Sequence, residues 1–540
     1  MSTIDLPSSL PELSRHQSTT HNLDTASTFD HDDAATIVHE AAEPVHVALD
    51  IEHIPVIDDP RKWSVIRKNF VLLQVSFGAM VGGLASNIQT PAIEEMEADL
   101  PATSSQISLS ISLFILFQGL IPLLWSAISE VKGRKVVYLT SLTIFTLGSV
   151  IVATSKTIGL VIGFRCLQAA GSSAVMSIGA ATLADIFDPE ERGTKMGIYY
   201  IAPLLGPSAG ALLGGGLTAG FGWRGPFYFL AIVSGIVLLS FVLFFKDTFR
   251  RERSYAYQGI LKQRLADHAV AKTLPSTEDI TPAAIVAPEN PAADIEKQVI
   301  TRGQVTDVAK DIKLSITDVN PIKPMAAVVS RRYNYCMLVA SGLLFSFSFL
   351  VMYTTARTMG TFYHYDPLRI GLVLVSFGLG SVTGSLLGGR WSDYQLEKLT
   401  RKNGGKRYPE MRLRSTVHGL VLFPLCILGY AWIIQERLHV AGVFVYTSTL
   451  AYLVDSNVGR SSTAVALNSA FRGTFAFIVT EIAVPMQDGL GDGWMYTIIA
   501  GLMVISGLLI VLVMLKGSNW RASEEQREAS RQLQTENDKK

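Results

Sequence analysis

The sequence has few charged residues and few cysteines, and both shortages limit what kind of protein it can be. Only 17% of its 540 residues are charged, against roughly 25% in an ordinary soluble domain, while 49% are hydrophobic. The net charge is zero, so nothing indicates a basic surface for nucleic acid. Cys166, Cys336 and Cys426 all lie in apolar stretches, where we expect small buried side chains and no disulfides. This composition favours a membrane protein.

The sequence also lacks the short motifs of metal and nucleotide chemistry. It has no His-Glu-x-x-His, no Cys-x-x-Cys and no Gly-x-x-x-x-Gly-Lys-Ser/Thr. One hydrolase-like Gly-x-Ser-x-Gly occurs around Ser208, but it lies in an apolar stretch with Pro207 before the serine, unlike a strand-to-helix elbow. We therefore expect no enzymatic activity, no metal, no cofactor and no ATP drive.

Long apolar stretches predict an all-α integral membrane protein with twelve transmembrane helices. Crossing about 30 Å of hydrocarbon takes about 20 apolar residues as a helix, because a helix satisfies its own backbone hydrogen bonds. The predicted spans are residues 69–90, 105–128, 136–154, 157–180, 194–217, 224–245, 333–356, 368–388, 415–434, 440–455, 461–485 and 494–515.

The spans divide the chain into two six-helix halves flanked by polar segments. We expect a disordered N-terminal tail, a first half, a polar linker, a second half and a C-terminal tail, over residues 1–67, 68–245, 246–332, 333–515 and 516–540. Lysine and arginine cluster before the first span and after the second and eighth, whereas residues 91–104 hold four acidic residues and no basic one. The bias of basic residues to cytoplasmic loops therefore predicts that both termini are cytoplasmic.

A similar polar signature occurs in each half, about 260 residues apart. The first is Ser-Glu-Val-Lys-Gly-Arg-Lys at residues 129–135, and the second is Gly-Gly-Arg-Trp-Ser-Asp at residues 388–393. Each follows a long apolar stretch, and we expect each to end a helix and begin a basic turn. The chain is therefore interpreted as a duplicated membrane bundle, which indicates a transporter.

These signatures and several others resemble the major facilitator superfamily, and in particular the fungal twelve-span drug:proton antiporter family. The resemblance covers about residues 58–520 and rests on the following motifs: Asp59-Pro60 with Trp63-Ser64, Gln118-Gly119 with Pro122, Gly133-Arg134-Lys135, Arg165-x-x-Gln168, Gly206-Pro207 with Gly210, Gly214 and Gly215, Gly222-Trp223-Arg224, and Pro409-Glu410-x-Arg412-Leu413. It implies the major facilitator fold, with two pseudo-symmetric halves. It also implies a monomeric transporter in the lipid bilayer of the plasma membrane, with a small-molecule substrate and protons as partners.

The resemblance implies two functional elements. The acidic and basic turn would be a gate that holds one access state, formed by Glu130, Gly133, Arg134, Lys135, Arg390 and Asp393. The alternative is an ordinary positively charged anchor of the topology. The glycine-rich fifth span, with Gly206, Pro207, Gly210, Gly214 and Gly215, is similar to the antiporter motif of exporters; the same glycines would also serve close helix packing.

Polar residues at membrane depth are the candidates for substrate binding and proton coupling. A transport site of this kind lies near the bilayer midplane between the halves. The candidates by depth are Arg165, Gln168, Gln74, Asn87, Tyr353, Tyr446 and Arg472. A charged side chain at this depth is costly and therefore suggests function, but each arginine could instead be capped by carbonyls or by an amide such as Gln168 or Asn468.

The predicted spans place no aspartate or glutamate in their middle thirds; Asp185 and Asp455 lie at cytoplasmic ends, and Glu481 lies about one turn from an external end. Buried arginines without carboxylates suit an anionic substrate. We therefore keep three functions open: export of a drug, toxin or secondary metabolite by proton antiport, dedicated export of a small organic acid such as an itaconate-like carboxylate, and solute sensing through the tails.

Overall fold

A computed structural model of the chain describes residues 56, 58–250, 253, 257, 322–405, 408, 410–435 and 461–537. Within these residues the secondary structure is entirely helical. The α-helices are α1 (Val65–Asn87), α2 (Ile93–Asp99), α3 (Ser104–Leu120), α4 (Pro122–Lys132), α5 (Arg134–Thr154), α6 (Ile158–Ile186), α7 (Pro189–Phe221), α8 (Gly225–Phe244), α9 (Ile322–Ser330), α10 (Arg332–Thr361), α11 (Pro367–Lys402), α12 (Glu410–Leu413), α13 (Val417–Gln435) and α14 (Ser461–Asn537).

The described helices reproduce the predicted spans closely. Nine helical segments of the described residues, two of which join consecutive helices, are long and apolar enough to cross a membrane, and α13 adds a shorter apolar segment, Gly419–Gln435. Helix α14 contains two spans, because its backbone breaks at Gly491, where φ is 76°. The tenth predicted span, residues 440–455, and its candidate Tyr446 lie outside the described residues, as do residues 1–55 of the predicted tail and most of the predicted linker.

One boundary prediction was wrong. The second signature was expected to end a helix near residue 388, but α11 continues through it to Lys402. Residues 391–402 contain neither proline nor glycine, and Arg401 pairs with Glu397 one turn earlier, so nothing ends the helix there. The first signature does end a helix: α4 stops at Gly133, whose φ of 89° suits glycine.

The apolar side chains form two hydrophobic cores. One is built almost entirely from α1–α8, from Val71 to Phe245, and the other from α9–α14, from Val328 to Val513. We call these helix groups the first and second halves. Since α1 runs from one end of the bundle to the other, we name the end where it begins the Arg134 end and the end where it finishes the Asp99 end.

The two halves pack mainly through two helix pairs, α7 with α11 and α3 with α14. Glycines make both contacts close: a Cβ on Gly371 of α11 would lie 2.8 Å from the Ala211 carbonyl oxygen, and one on Gly119 of α3 would lie 2.6 Å from that of Ser469. These helix pairs bring polar residues of the two halves together.

Candidate functional site

The first signature folds into a charged cluster at the Arg134 end. The Arg134 side chain is buried, and its Nε donates to Asp185 Oδ2 at 3.2 Å. Its backbone N–H donates to Asp247 Oδ1 at 3.1 Å, so a carboxylate caps the start of α5, where the helix dipole favours negative charge. A Cβ on Gly133 would lie 2.1 Å from Asp247 Oδ2, so this approach requires glycine.

The cluster involves more residues than the signature indicated, and all of them belong to the first half or directly follow its last helix. Arg134 also donates to Ser129 and interacts electrostatically with Glu130, while Asp185 accepts from Thr248 Oγ1 at 3.3 Å. Asp247 and Thr248 follow α8 and were not among the sequence candidates. Lys135 is half-buried, and the described residues offer it no hydrogen-bond or ion-pair partner.

The second signature is less informative in the structure. Arg390 is exposed on α11, and the backbone of Asp393 lies on the same helix, but its side chain is outside the described atoms. The gate across the two signatures therefore stays a prediction.

The glycine face of α7 packs as its spacing indicated. Cβ atoms built on Gly206 and Gly210 would lie 2.6 Å from Gly83 Cα and 2.4 Å from the Leu84 carbonyl oxygen of α1. One on Gly214 would lie 2.2 Å from the Ile88 carbonyl oxygen. The same helix reaches the other half, because a Cβ on Gly215 would lie 2.4 Å from the Pro367 carbonyl oxygen. The predicted close approach of neighbouring helices is confirmed, and Pro207 lies inside the continuous helix.

Arg165 and Gln168 form one buried network inside the first half. The side chain of Arg165 is 0% exposed, and its Nη1 donates to the Ala85 carbonyl oxygen at 2.9 Å and to Gln168 Oε1 at 2.8 Å. Gln168 Nε2 in turn donates to Ser149 Oγ at 2.7 Å. The guanidinium stacks 4.1 Å from the Phe114 ring centroid, while its Nε and Nη2 have no hydrogen-bond partner among the described atoms. This matches the capped-arginine alternative, with two donors left over.

The remaining candidates separate into three places. Gln74 joins α1 to α8 by donating to Ser240 Oγ at 2.7 Å, so it lies within the first half. Arg472 of α14 stacks 3.7 Å from the Phe345 ring centroid of α10. The proposed capping amide Asn468 makes no side-chain hydrogen bond among the described atoms. Arg472 is therefore not part of the Arg165 network. The Arg165 side chain has no exposed surface in this arrangement.

Asn87 and Tyr353 lie where the halves meet toward the Asp99 end. Asn87 Nδ2 donates to Met352 Sδ at 3.1 Å, and the Tyr353 hydroxyl donates to the Ser104 carbonyl oxygen at 3.3 Å. Both bonds connect α10 to the first half. These two candidates therefore contact the opposite half, in contrast to Gln74 and Gln168.

Glu481 lies further from the end of its helix than the predicted span end at residue 485 indicated. It is ten residues before the break at Gly491, about 15 Å along the helix at 1.5 Å per residue. Its Oε1 accepts from Ser112 Oγ of α3 at 2.6 Å. A carboxyl group is therefore present at the contact between the halves, and the argument from missing carboxylates is weaker than the sequence suggested.

Comparisons with known proteins give consistent relatives. The family model described as Major Facilitator Superfamily matches residues 75–480. "MFS antiporter QDR3" of Candida albicans is 26% identical, with 87% of this chain and 80% of that protein covered. "Quinidine resistance protein 3" of Saccharomyces cerevisiae is 25% identical, with 87% and 85% covered.

One further relative has a name that gives a different cargo. A solved structure of another transporter is also similar. "Citrate exporter 1" of Aspergillus niger is 27% identical, with 85% of this chain and 88% of that protein covered. The solved structure of the POT family transporter PepTSo superposes with a TM-score of 0.56 at 12% identity, covering 85% of this chain and 99% of that one. At that identity the structure supports the fold alone.

Proposed function

The chain belongs to the Major Facilitator Superfamily, and from this premise we propose that it exports a small organic molecule in exchange for protons by alternating access. The observation that carries the proposal is the glycine face of α7, which contacts α1 in its own half and α11 in the other. A helix packed this closely on both sides stiffens the contact that must separate when the Asp99 end opens. The relatives named as an antiporter and as a quinidine resistance protein support export of a drug-like molecule.

We place the transporter in the plasma membrane as a monomer with both termini in the cytoplasm. The basic cluster of Arg134 and Lys135 would then face the cytoplasm and the acidic helix α2 the exterior, as the distribution of lysine and arginine favours. Under this orientation the hydrogen bonds of Asn87 and Tyr353 close the external side.

Export of a small organic acid is the second candidate. It is favoured by Arg165, whose buried guanidinium has two nitrogen donors without partners and no carboxylate contact among the described residues. It is also favoured by the relative named as a citrate exporter. An incoming carboxylate would form charge-assisted hydrogen bonds with such donors. Glu481 argues in the other direction, because a carboxylate at the contact between halves suits a proton-coupled exporter of neutral or cationic molecules.

Transport into liposomes tests both candidates. Purified protein in liposomes with an acidic lumen should accumulate external quinidine faster than protein-free liposomes, which report passive trapping of this base. A protonophore should abolish the difference. The same assay with citrate tests the second candidate. Transport of either compound at a rate independent of the pH gradient would contradict proton antiport. In cells, a strain lacking the gene should retain the transported compound inside the cell.

A further inference from the structure

Glu481 lies in a polar contact that joins the two halves within the membrane-spanning region. Its Oε1 accepts from Ser112 Oγ at 2.6 Å and from Ser108 Oγ at 3.4 Å, and Ser108 Oγ also donates to the Thr480 carbonyl oxygen at 3.1 Å. Ser108 and Ser112 belong to α3, whereas Thr480 and Glu481 belong to α14. We call this four-residue contact the α3–α14 seam.

The seam holds its carboxyl group without a cation. Among the described residues, no lysine, arginine or histidine lies within ion-pair distance of Glu481. The hydroxyl of Thr480, which is fully buried beside it, has no hydrogen-bond partner in the described part of the chain. A carboxyl group that loses water in such a contact must be paired or hydrogen-bonded, and the described partners of the half-buried Glu481 carboxyl group are two neutral hydroxyl groups.

The charged and titratable groups around the seam come from α10 and α2. Tyr353 of α10 interacts electrostatically with Glu481, with Arg357 one turn further along α10, and with Glu97 of α2. Arg357 is engaged elsewhere, because its Nη1 lies 2.8 Å from both Asp488 Oδ1 and Gln487 Oε1. Tyr353 also joins the halves, because its hydroxyl donates to the Ser104 carbonyl oxygen. A residue that interacts with the charge of Glu481 therefore also holds the two halves together.

We propose that Glu481 is the proton-binding site that controls opening of the α3–α14 seam. With the seam open, the Glu481 carboxylate takes a proton from hydronium, water is released, and the neutral acid packs against Ser108 and Ser112 as the seam closes. Loss of that proton leaves a half-buried carboxylate without a cation among the described residues, and the seam opens. This inference rests on the proposed antiport, for which it names the residue that carries the proton.

The distance across the seam tests the proposal without a transported substrate. Spin labels are placed on Ser105→Cys of α3 and Gly489→Cys of α14, both exposed toward the Asp99 end, with the three native cysteines changed to serine. The label distance is measured in lipid nanodiscs between pH 5 and pH 8. The short-distance population should fall as pH rises, by at most about tenfold in the closed-to-open ratio per pH unit for one proton.

Three variants identify the titrating group. Glu481→Gln should keep the short distance at every pH, because it stays neutral and can still accept from Ser112. Glu481→Asp and Ser112→Ala should retain a pH response with a shifted midpoint, since both keep a titratable carboxyl group. A wild-type response that persists in Glu481→Gln, or a wild-type protein without any response, overturns the inference.

The outcome also separates this inference from the proposed function. A pH response that depends on Glu481, in a protein that moves neither quinidine nor citrate, would leave the proton site standing while the proposed cargoes fail. Proton-driven quinidine transport that is unchanged in Glu481→Gln would support the antiporter and remove Glu481 from its mechanism.

Discussion

At the level of single residues, the buried Arg165 side chain is consistent with both a structural role and an anion-binding role. Its hydrogen bond to the Ala85 carbonyl oxygen connects α6 to α1, whereas its hydrogen bond to Gln168 lies within α6. Its unpartnered Nε and Nη2 could bind an anion when the halves move. A substitution that keeps the charge but removes the planar fork distinguishes these roles.

We expect Arg165→Lys to lower organic-acid efflux about tenfold or more, because lysine cannot pair with a carboxylate through two parallel hydrogen bonds. Hydrogen bonds to a charged group contribute roughly 1.5–3 kcal/mol each, which corresponds to that loss. The measurement is citrate and quinidine flux in parallel, with the amount of protein in the membrane as control. Retained acid flux with lost quinidine flux would favour a proton-relay arginine, and the carboxylate hypothesis should then be dropped.

At the level of helices, the glycine face of α7 gives a matched pair of substitutions. A Cβ at Gly214 would meet the Ile88 carbonyl oxygen at 2.2 Å, whereas nothing lies within 4 Å of a Cβ at Gly220 on the same helix. Gly214→Ala should destabilise the protein by about 1–3 kcal/mol and reduce transport, because the α1 backbone cannot move aside easily. Gly220→Ala should leave both unchanged. Thermal unfolding in detergent is the measurement, and equal behaviour of the two variants would show that the close approach is not needed.

The short segment before α1 is held to the segment after α8 by an ion pair. Asp59 accepts from Arg253 through both carboxylate oxygens, at 2.9 and 2.7 Å, and from the Arg61 backbone N–H at 3.0 Å. Burial raises the pKa of Asp59, but the bonds from Arg253 and Arg61 outweigh it and lower the pKa overall. The stabilisation is therefore present above the unfolded pKa of about 4 and is lost as the pH falls through the lower folded value.

Asp59→Asn should accordingly lower the free energy of unfolding by about 1 kcal/mol at pH 7. The difference from wild type should shrink as the pH falls from about 4 through the lower folded pKa, because the unfolded chain then binds a proton that the folded protein does not. Melting temperatures measured from pH 7 to pH 3 report this. Glu397→Gln is the control, because its pair with Arg401 is exposed and contributes little. A difference that is independent of pH would assign the effect to packing.

At the level of the whole molecule, the Arg134 cluster lies within one half of the protein. Its predicted role is nevertheless to hold the two halves in one access state. Arg134 is bound to Asp185 and next to Asp247, so its removal takes the cation away from two half-buried carboxylates. We expect Arg134→Ala to reach the membrane normally and to lose about tenfold or more of its flux. Lys135→Ala should lose less, since the described residues offer Lys135 no partner. Full flux in both variants and in the double variant would leave only the topology-anchor role.

The sequence alone determined the spans, the duplication and the family. Apolar stretches of about 20 residues must be helical in lipid, because no water is present to satisfy an open backbone, and this holds whatever the neighbours are. The glycine spacing on α7 similarly determined a face that allows close packing. The break at Gly133 was also readable locally, whereas the continuation of α11 to Lys402 was not, because ordinary helix-forming residues follow the second signature.

Only the tertiary structure decided which polar groups meet. Asp247 caps α5 from 113 residues away in sequence, and Glu481 meets Ser112 across 369 residues. Such pairs leave no periodicity or local motif, since they depend on how helices from distant parts of the chain rotate and slide to bury their apolar faces. The same packing enclosed Arg165 among neutral partners in the first half and placed a carboxyl group at the contact between halves, and these two positions now define the experiments on cargo and on protons.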